Sequence, residues 1–579
     1  MKQCASIVIS VSALALVACS GDAQVGSPTD TDTPDSTSSD VPLDADDAPD
    51  APDASADTAD TDTTCPPIPY PTIPGAVSTT EGPVIGELED GVIRWLGLRY
   101  AAPPVGDLRF RPPAAPKCLE RAHYSELGPR CPQRDGDDLI GDEDCLTLNI
   151  WAPDTAPAPV LVFFHGGGHI QGSAAETLPG GGLLYDGQHL ARHQDVVVVT
   201  VQYRLGALGW LVHPALTAED EDAPIGNRGL LDQQAALRWL RDNVHNFGGD
   251  PDRVTIFGES AGAVDTALHL ALPSSAGLFS SAIIQSGSPA ARPLERALSE
   301  GTEAVAKTSC ATSTDIAACL RALDTQALLA ALPGQIGIGN PGLAQGLGNF
   351  GPVIDGRLLP EAPLALLAVP RDDPPSVIVG SNAEEMAELF ALRIPTEAAY
   401  VQALRQSLAT PIALATGRTP ADVLDTLLAT YPVSAYDSPQ VAIEDVYTDL
   451  RFTCPAIELL RALHTGGHET RRYLFARRLE TANGARPASH GRELPFVFGT
   501  WRNIPLYNPA PADETLSDQM MTAWATMGAS IGSAVPDLET WPLWAPDTGR
   551  TLALDAPLSV LDAPREDRCA MWRELSTPP

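Results

Sequence analysis

Positive charge is scarce in this 579-residue chain, where 37 Lys and Arg face 74 Asp and Glu for a formal net charge of −37. No basic surface could offset that balance, which excludes nucleic acid as a partner. None of the ten cysteines stands in C-x-x-C spacing, which argues against zinc. After the first nineteen residues no apolar run is long and charge-free enough to cross a bilayer, and no internal repeat is present. What remains is 44% hydrophobic and 19% charged, the composition of a soluble globular protein. Its length exceeds one ordinary domain but suits a single large α/β unit. Residues 20–64 hold thirteen Asp and no Lys or Arg, so −24 is left on the remainder, which is acidic in its own right.

The first eighteen residues read as an export signal: Lys2 supplies the positive start, and Ala5 to Ala18 form an apolar stretch too short to span. Leu16-Val17-Ala18-Cys19 resembles the lipobox of bacterial lipoproteins. That resemblance implies a lipidated Cys19 and a protein exported to the bacterial cell envelope, anchored by lipid and facing the periplasm or the exterior. Residues 19–65 are then a tether of Asp, Thr, Ser, Ala and Pro that cannot offset its ordering entropy. Its expected end-to-end distance is roughly 35–40 Å before charge repulsion extends it. The folded domain is expected over 66–579. Eight cysteines follow Cys19, an even number that reads as disulfides in an exported chain. Cys131/Cys145 and Cys310/Cys319 are close enough for small loops, although spacing fixes no pairing.

Pro83 to Leu96 reads as a hairpin with Asp90-Gly91 at its turn. The runs PVLVFF (159–164) and VVVVTV (196–201) suit strands buried on both faces. Leu230, Leu231, Leu237, Leu240 and Val244 recur at helical spacing. Further strands are expected at 282–285, 376–379 and 472–476. Strands alternating with helices imply a mostly parallel sheet covered on both sides, with ligands at the C-terminal strand ends. The glycine-rich stretch 331–349 reads either as a binding wall or as a surface connection.

The chain is organised around Arg253 to Ala263, where a β-branched run ends in Gly-Glu-Ser-Ala-Gly and small residues follow. This is the strand–turn–helix setting of a nucleophile elbow, with Ser260 as nucleophile above a helix N-terminus. After PVLVFF comes His165-Gly166-Gly167-Gly168, whose glycines let backbone amides approach a ligand. A phosphate-binding loop is excluded because no Gly-Lys-Ser/Thr follows.

These pieces, with others, resemble the type-B carboxylesterase/lipase family of α/β-hydrolases. The matches run in order: RFRPP (109–113), EDCLTLNIW (143–151), HGGG, QYRLGALGW (202–210), GNRGLLDQQAALRW (226–239), FGGDP (247–251) and FGESAGA (257–263). QSGSP (285–289), FGPVIDG (350–356), GSNAEE (380–385) and HGRELPFVFG (490–499) follow. The resemblance implies an α/β-hydrolase fold with a large, mostly parallel sheet and an N-terminal antiparallel hairpin. It implies hydrolysis of carboxylic esters through an acyl-enzyme on Ser260, with His490 as general acid/base and Glu385 orienting it. Glu384 is the rival for the acid by one residue of misregister, and Met386 stands where the family usually has glycine. The oxyanion hole falls on the amides of Gly167, Gly168 and Ala261.

The same resemblance implies disulfides Cys131–Cys145, Cys310–Cys319 and Cys454–Cys569, and buried ion pairs Arg109–Glu143 and Arg204–Asp232. Cys65 and Cys118 remain and are expected to pair. No metal or organic cofactor is implied. The loop between Cys131 and Cys145 has no aromatic residue, whereas cholinesterases carry a choline-binding tryptophan in a longer loop, so acetylcholine is not the expected substrate. A lipase or polyester hydrolase of the same fold is the alternative to a general carboxylesterase. A non-catalytic adhesion relative is the more distant one, disfavoured because all three triad positions are kept.

Overall fold

Val160, Val162 and Phe164 of the PVLVFF run face one hydrophobic core, and Leu161 and Phe163 face another on the opposite side. Side chains alternate across a strand, so a segment apolar at every position must lie in a sheet covered on both faces. The computed structural model describes residues 74–578 except 119–121, 155–156, 179–180, 220–222, 336–347, 391, 482–483, 505–506, 508 and 528–540. The leader, the tether, Cys19 and Cys65 lie outside the described residues.

Eleven strands form the central sheet. In chain order they are β1 (Glu87–Glu89), β2 (Val92–Arg99), β3 (Thr147–Pro153), β4 (Ala158–Phe164), β5 (Val197–Val201) and β6 (Gly249–Glu259). The others are β7 (Ser281–Gln285), β8 (Ser376–Asn382), β9 (Thr470–Phe475), β10 (Thr551–Leu554) and β11 (Ser559–Leu561). Across the sheet they run β11-β10-β9-β8-β7-β6-β4-β5-β3-β2-β1. From β5 to β10 every neighbouring pair is parallel. The edge strands β1, β2, β3 and β11 are antiparallel to their neighbours.

The turn at Asp90-Gly91 joins β1 to β2, both residues having positive φ. The first arm of this hairpin is shorter than the sequence pattern suggests. Gly82–Ile85 leaves it to pair with Ala76–Thr79 in a separate small sheet. Gly86 marks the departure, pressed so closely on the Trp95 ring that a Cβ there would sit 2.8 Å from it.

One core holds Leu230, Leu237 and Leu240 of helix α1 (Arg228–Asn243) and Ala263 and Ala267 of helix α2 (Ala261–Ala271). The other holds Phe496 and Phe498 of helix α3 (Leu494–Phe498) and Met520 and Trp524 of helix α4 (Pro511–Thr526). Disulfides join Cys131 to Cys145, Cys310 to Cys319 and Cys454 to Cys569. Cys118 is also disulfide-bonded. The hairpin 133–140 fills the loop between Cys131 and Cys145. Among the described residues no helix is long and apolar enough to cross a membrane.

Candidate active site

Ser260 stands between β6 and α2 with φ 56° and ψ −118°, a conformation that costs a non-glycine residue about 1–3 kcal/mol. The two glycines of the motif make this turn sterically possible. A Cβ on Gly262 would lie 1.9 Å from the Phe164 carbonyl oxygen, and one on Gly258 would lie 2.3 Å from that of Gly262. The Ser260 amide donates to the Gln285 carbonyl (2.9 Å), fastening the turn to the end of β7. Ser260 Oγ has no hydrogen-bond partner among the described residues.

The topology carries the other two residues to the same edge. β8 ends at Asn382 and the chain turns into Glu385; β9 ends at Phe475 and returns through a small hairpin to His490. Glu385 Oε2 lies 2.7 Å from His490 Nδ1, and Glu385 Oε1 accepts from the Asn382 amide at 2.7 Å. Glu384 points elsewhere, to Arg478. Consecutive side chains in this turn diverge, so of the two carboxylates it is Glu385 that lies against the imidazole. Met386, in place of the usual glycine, is fully buried, and its amide donates to Thr448 Oγ1 (3.2 Å).

His490 Nε2 lies 3.0 Å from Glu259 Oε1 without hydrogen-bond alignment. The imidazole thus stands beside the residue preceding Ser260, and no Ser260–His490 hydrogen bond is made. Such bonds are commonly long or misaligned in unliganded enzymes.

The glycine loop follows β4. Gly167 (φ 107°) and Gly168 (φ 64°) occupy backbone regions suited to glycine, and a Cβ on Gly167 would meet the Gln171 carbonyl at 2.1 Å. Gly166 packs on Ser260 and Glu259 so tightly that a Cβ would lie 3.0 Å from Ser260 Cβ. The amides of Gly167, Gly168 and Ala261 have no acceptor among the described residues. His165 is buried, stacks on Tyr203 (ring centroids 4.5 Å), and its carbonyl accepts from the Tyr203 hydroxyl at 2.6 Å. Of the stretch 331–349, residues 336–347 lie outside the described residues. Its end at Gly334 and the adjacent Gly351 rest against Ile170 and His169.

With that geometry in view, comparison with known proteins is decisive. Residues 74–572 match the model of the Carboxylesterase family. The chain belongs to this family. It is 33% identical to the para-nitrobenzyl esterase of Bacillus subtilis (strain 168) over 85% of this chain and 97% of that one. It is 35% identical to the fumonisin B1 esterase of Sphingopyxis macrogoltabida, covering 81% and 84% respectively. A solved PNB esterase structure superposes with a TM-score of 0.72 at 31% identity, covering 86% of this chain and 99% of the other. The protein is a carboxylic-ester hydrolase of α/β-hydrolase fold.

Three buried carboxyl groups surround the esterase's His490, a feature the motifs contained but did not reveal. Glu493, fully buried, accepts from Gln285 Nε2 (3.1 Å) and Asn382 Nδ2 (2.6 Å), and Gln285 in turn accepts from Trp524 Nε1 (3.0 Å). Glu493, Asn382 and Gln285 all lie inside quoted motifs, yet their convergence depends on which strands are neighbours. Burial alone would lower the His490 pKa, but the Glu259, Glu385 and Glu493 carboxylates outweigh it and raise it to about 9. Burial raises Glu259 to about 8, with His490 opposing and Glu493 adding to the rise. Burial, and then Glu385, raises Glu493 also. Among the described residues no group of three or more His, Cys, Asp or Glu side chains is arranged to hold a metal ion.

Two buried ion pairs anchor loops elsewhere in the fold. Arg109 meets Glu143 in a fork (2.8 and 2.5 Å) and donates to carbonyls of 321 and 323. Arg204 meets Asp232 the same way (2.8 and 2.6 Å) and donates to the Arg111 carbonyl.

Proposed function

We propose that the esterase works through an acyl-enzyme on Ser260. His490 takes the hydroxyl proton as Oγ attacks the ester carbonyl, and returns it to the departing alcohol. Glu385, acting as a positioning residue, holds the Nδ1–H tautomer and stabilises the imidazolium without taking the proton. The tetrahedral oxyanion is received by the amides of Gly167, Gly168 and Ala261, where one such donor is typically worth about 3–4 kcal/mol. Water deprotonated by His490 then releases the acid. The observation that carries this reading is the 2.7 Å Glu385–His490 contact at the strand edge where Ser260 is held in its strained turn. Ser260→Ala is expected to keep the fold, seen as an unchanged thermal transition, and to abolish turnover of a short-chain p-nitrophenyl ester. Retained turnover in that variant contradicts the reading.

The substrate proposed is a small carboxylic ester. A rate that climbs sharply on emulsified long-chain esters would instead make the protein a lipase. We also propose export and lipid anchoring through Cys19, a reading supported by the lipobox and by the acidic, lysine-free stretch that follows. Cys19→Ser should move the protein from the membrane to the soluble fraction, and unchanged membrane association contradicts the anchor.

A further inference from the structure

A second histidine–carboxylate contact, distinct from Glu385–His490, joins the glycine loop to helix α2. His169 directly follows Gly168, and its backbone takes a positive φ of 62°. Its ring is buried, lies edge-on to Trp210 with centroids 4.7 Å apart, and places Nε2 2.9 Å from Asp265 Oδ1. Gly351 leaves room for it, since a Cβ there would sit 3.3 Å from the ring nitrogen Nδ1. The His169 carbonyl accepts from the Gly206 amide at 2.7 Å. Asp265 is fully buried on α2, five residues beyond Ser260.

With an ionised Asp265 and a neutral His269, the hydrogen bonds beyond Asp265 form one directed chain. A carboxylate only accepts, so His169 Nε2–H donates to Oδ1, and Gln233 Nε2 donates to Oδ2 at 2.7 Å. Gln233 Oε1 then accepts from His269 Nε2–H (2.9 Å), which leaves His269 Nδ1 to accept from the Ser275 hydroxyl (3.0 Å). Ser275 Oγ in turn accepts from Gln234 Nε2 (2.8 Å). Burial lowers His269 to about 4, so the ring is neutral and its Nδ1 is the acceptor. The network runs from α1 through α2 to the glycine loop.

Stability alone is a poor account of such an arrangement. A buried charge bears a desolvation cost that its partners rarely exceed, and well-packed apolar side chains would hold the two segments together as well. What the His169–Asp265 contact adds is direction. It ties the residue after Gly168 to the helix whose first amide is Ala261, and amides from those two segments must meet on one oxygen.

We propose that His169 and Asp265 are positioning residues for the oxyanion hole, holding the Gly167–Gly168 turn against the nucleophile helix. This rests on the oxyanion-hole reading given above. Replacing His169 by Phe or Asp265 by Asn loosens that alignment without removing a donor. The expected loss is therefore about 10–100-fold in kcat, below the 10²–10³ typical of losing one oxyanion donor, with KM held within about threefold.

The test pairs steady-state kinetics on a p-nitrophenyl ester with binding of a trifluoromethyl ketone, whose serine adduct carries the oxyanion. In H169F and D265N, ketone affinity should fall in step with kcat/KM, and the double variant should be no worse than the poorer single one. His169→Gln, which keeps an N–H donor, should recover part of both, and it serves as the informative variant should H169F not fold. A lowered melting temperature with kcat and ketone affinity unchanged overturns the proposal, as does a rise in KM alone. Failure of the underlying reading looks different: the wild-type protein would not bind the ketone, or Ser260→Ala would still turn over.

Discussion

Glu259 is the residue whose influence on the chemistry is most easily measured. Its carboxyl group, 3.0 Å from His490 Nε2, is one of the three that raise the imidazole to about 9, and it makes the largest single contribution. A general base must be unprotonated, so kcat/KM should rise with pH through the His490 pKa and reach its plateau in the alkaline range. Removing an anion from beside an imidazole lowers its pKa. Glu259→Gln is therefore expected to move the acid limb of the pH–kcat/KM profile to lower pH. An acid limb that stays in place contradicts the electrostatic account. At this scale the sequence points to the proposed triad but hides its surroundings. Ser260, Glu385 and His490 each sit in a short local motif, whereas His169 and Asp265 are 96 positions apart with nothing local to link them. Glu493 is likewise printed within HGRELPFVFG, yet its role appears only once Gln285 and Asn382 are brought to it by neighbouring strands.

Elements were more legible than partners. A strand apolar on every position, such as Ala158–Phe164, can only be buried on both faces, so its place in the middle of the sheet follows from its composition. The helical spacing of leucines from 230 to 240 likewise identifies the element that became Arg228–Asn243. The first arm of the N-terminal hairpin was less legible. An alternating pattern does not show which sheet a strand joins, and the chain leaves the hairpin at Gly86. Between elements, Arg204 on the loop after β5 is clamped to Asp232 of α1, both nearly inaccessible. Breaking a buried pair leaves an uncompensated charge. Arg204→Ala should cost about 3–5 kcal/mol in denaturant unfolding, and a loss under about 1 kcal/mol contradicts the buried-pair account.

For the whole molecule, Cys454–Cys569 is the longest covalent constraint among the described disulfides, spanning 115 residues and fixing the C-terminal helix Glu566–Leu575 to helix 454–465. Long closed loops restrict the unfolded chain most. Replacing both cysteines by serine should lower stability by about 2–5 kcal/mol while leaving KM for a small ester unchanged, because neither helix supplies a residue of the triad or the glycine loop. A changed KM with unaltered stability contradicts that separation. Cys118 is disulfide-bonded as well, and Cys65 lies outside the described residues.

The central claim is covalent: the acyl group of the ester passes through Ser260. The most direct measurement is mass spectrometry of the protein acid-quenched within its first turnovers of a p-nitrophenyl ester. The expected result is one acyl adduct per chain, mapping to the peptide that contains Ser260 and accumulating further in His490→Ala if acylation is driven by an activated ester. An adduct on another residue, or full turnover with no adduct at any quench time, contradicts the account.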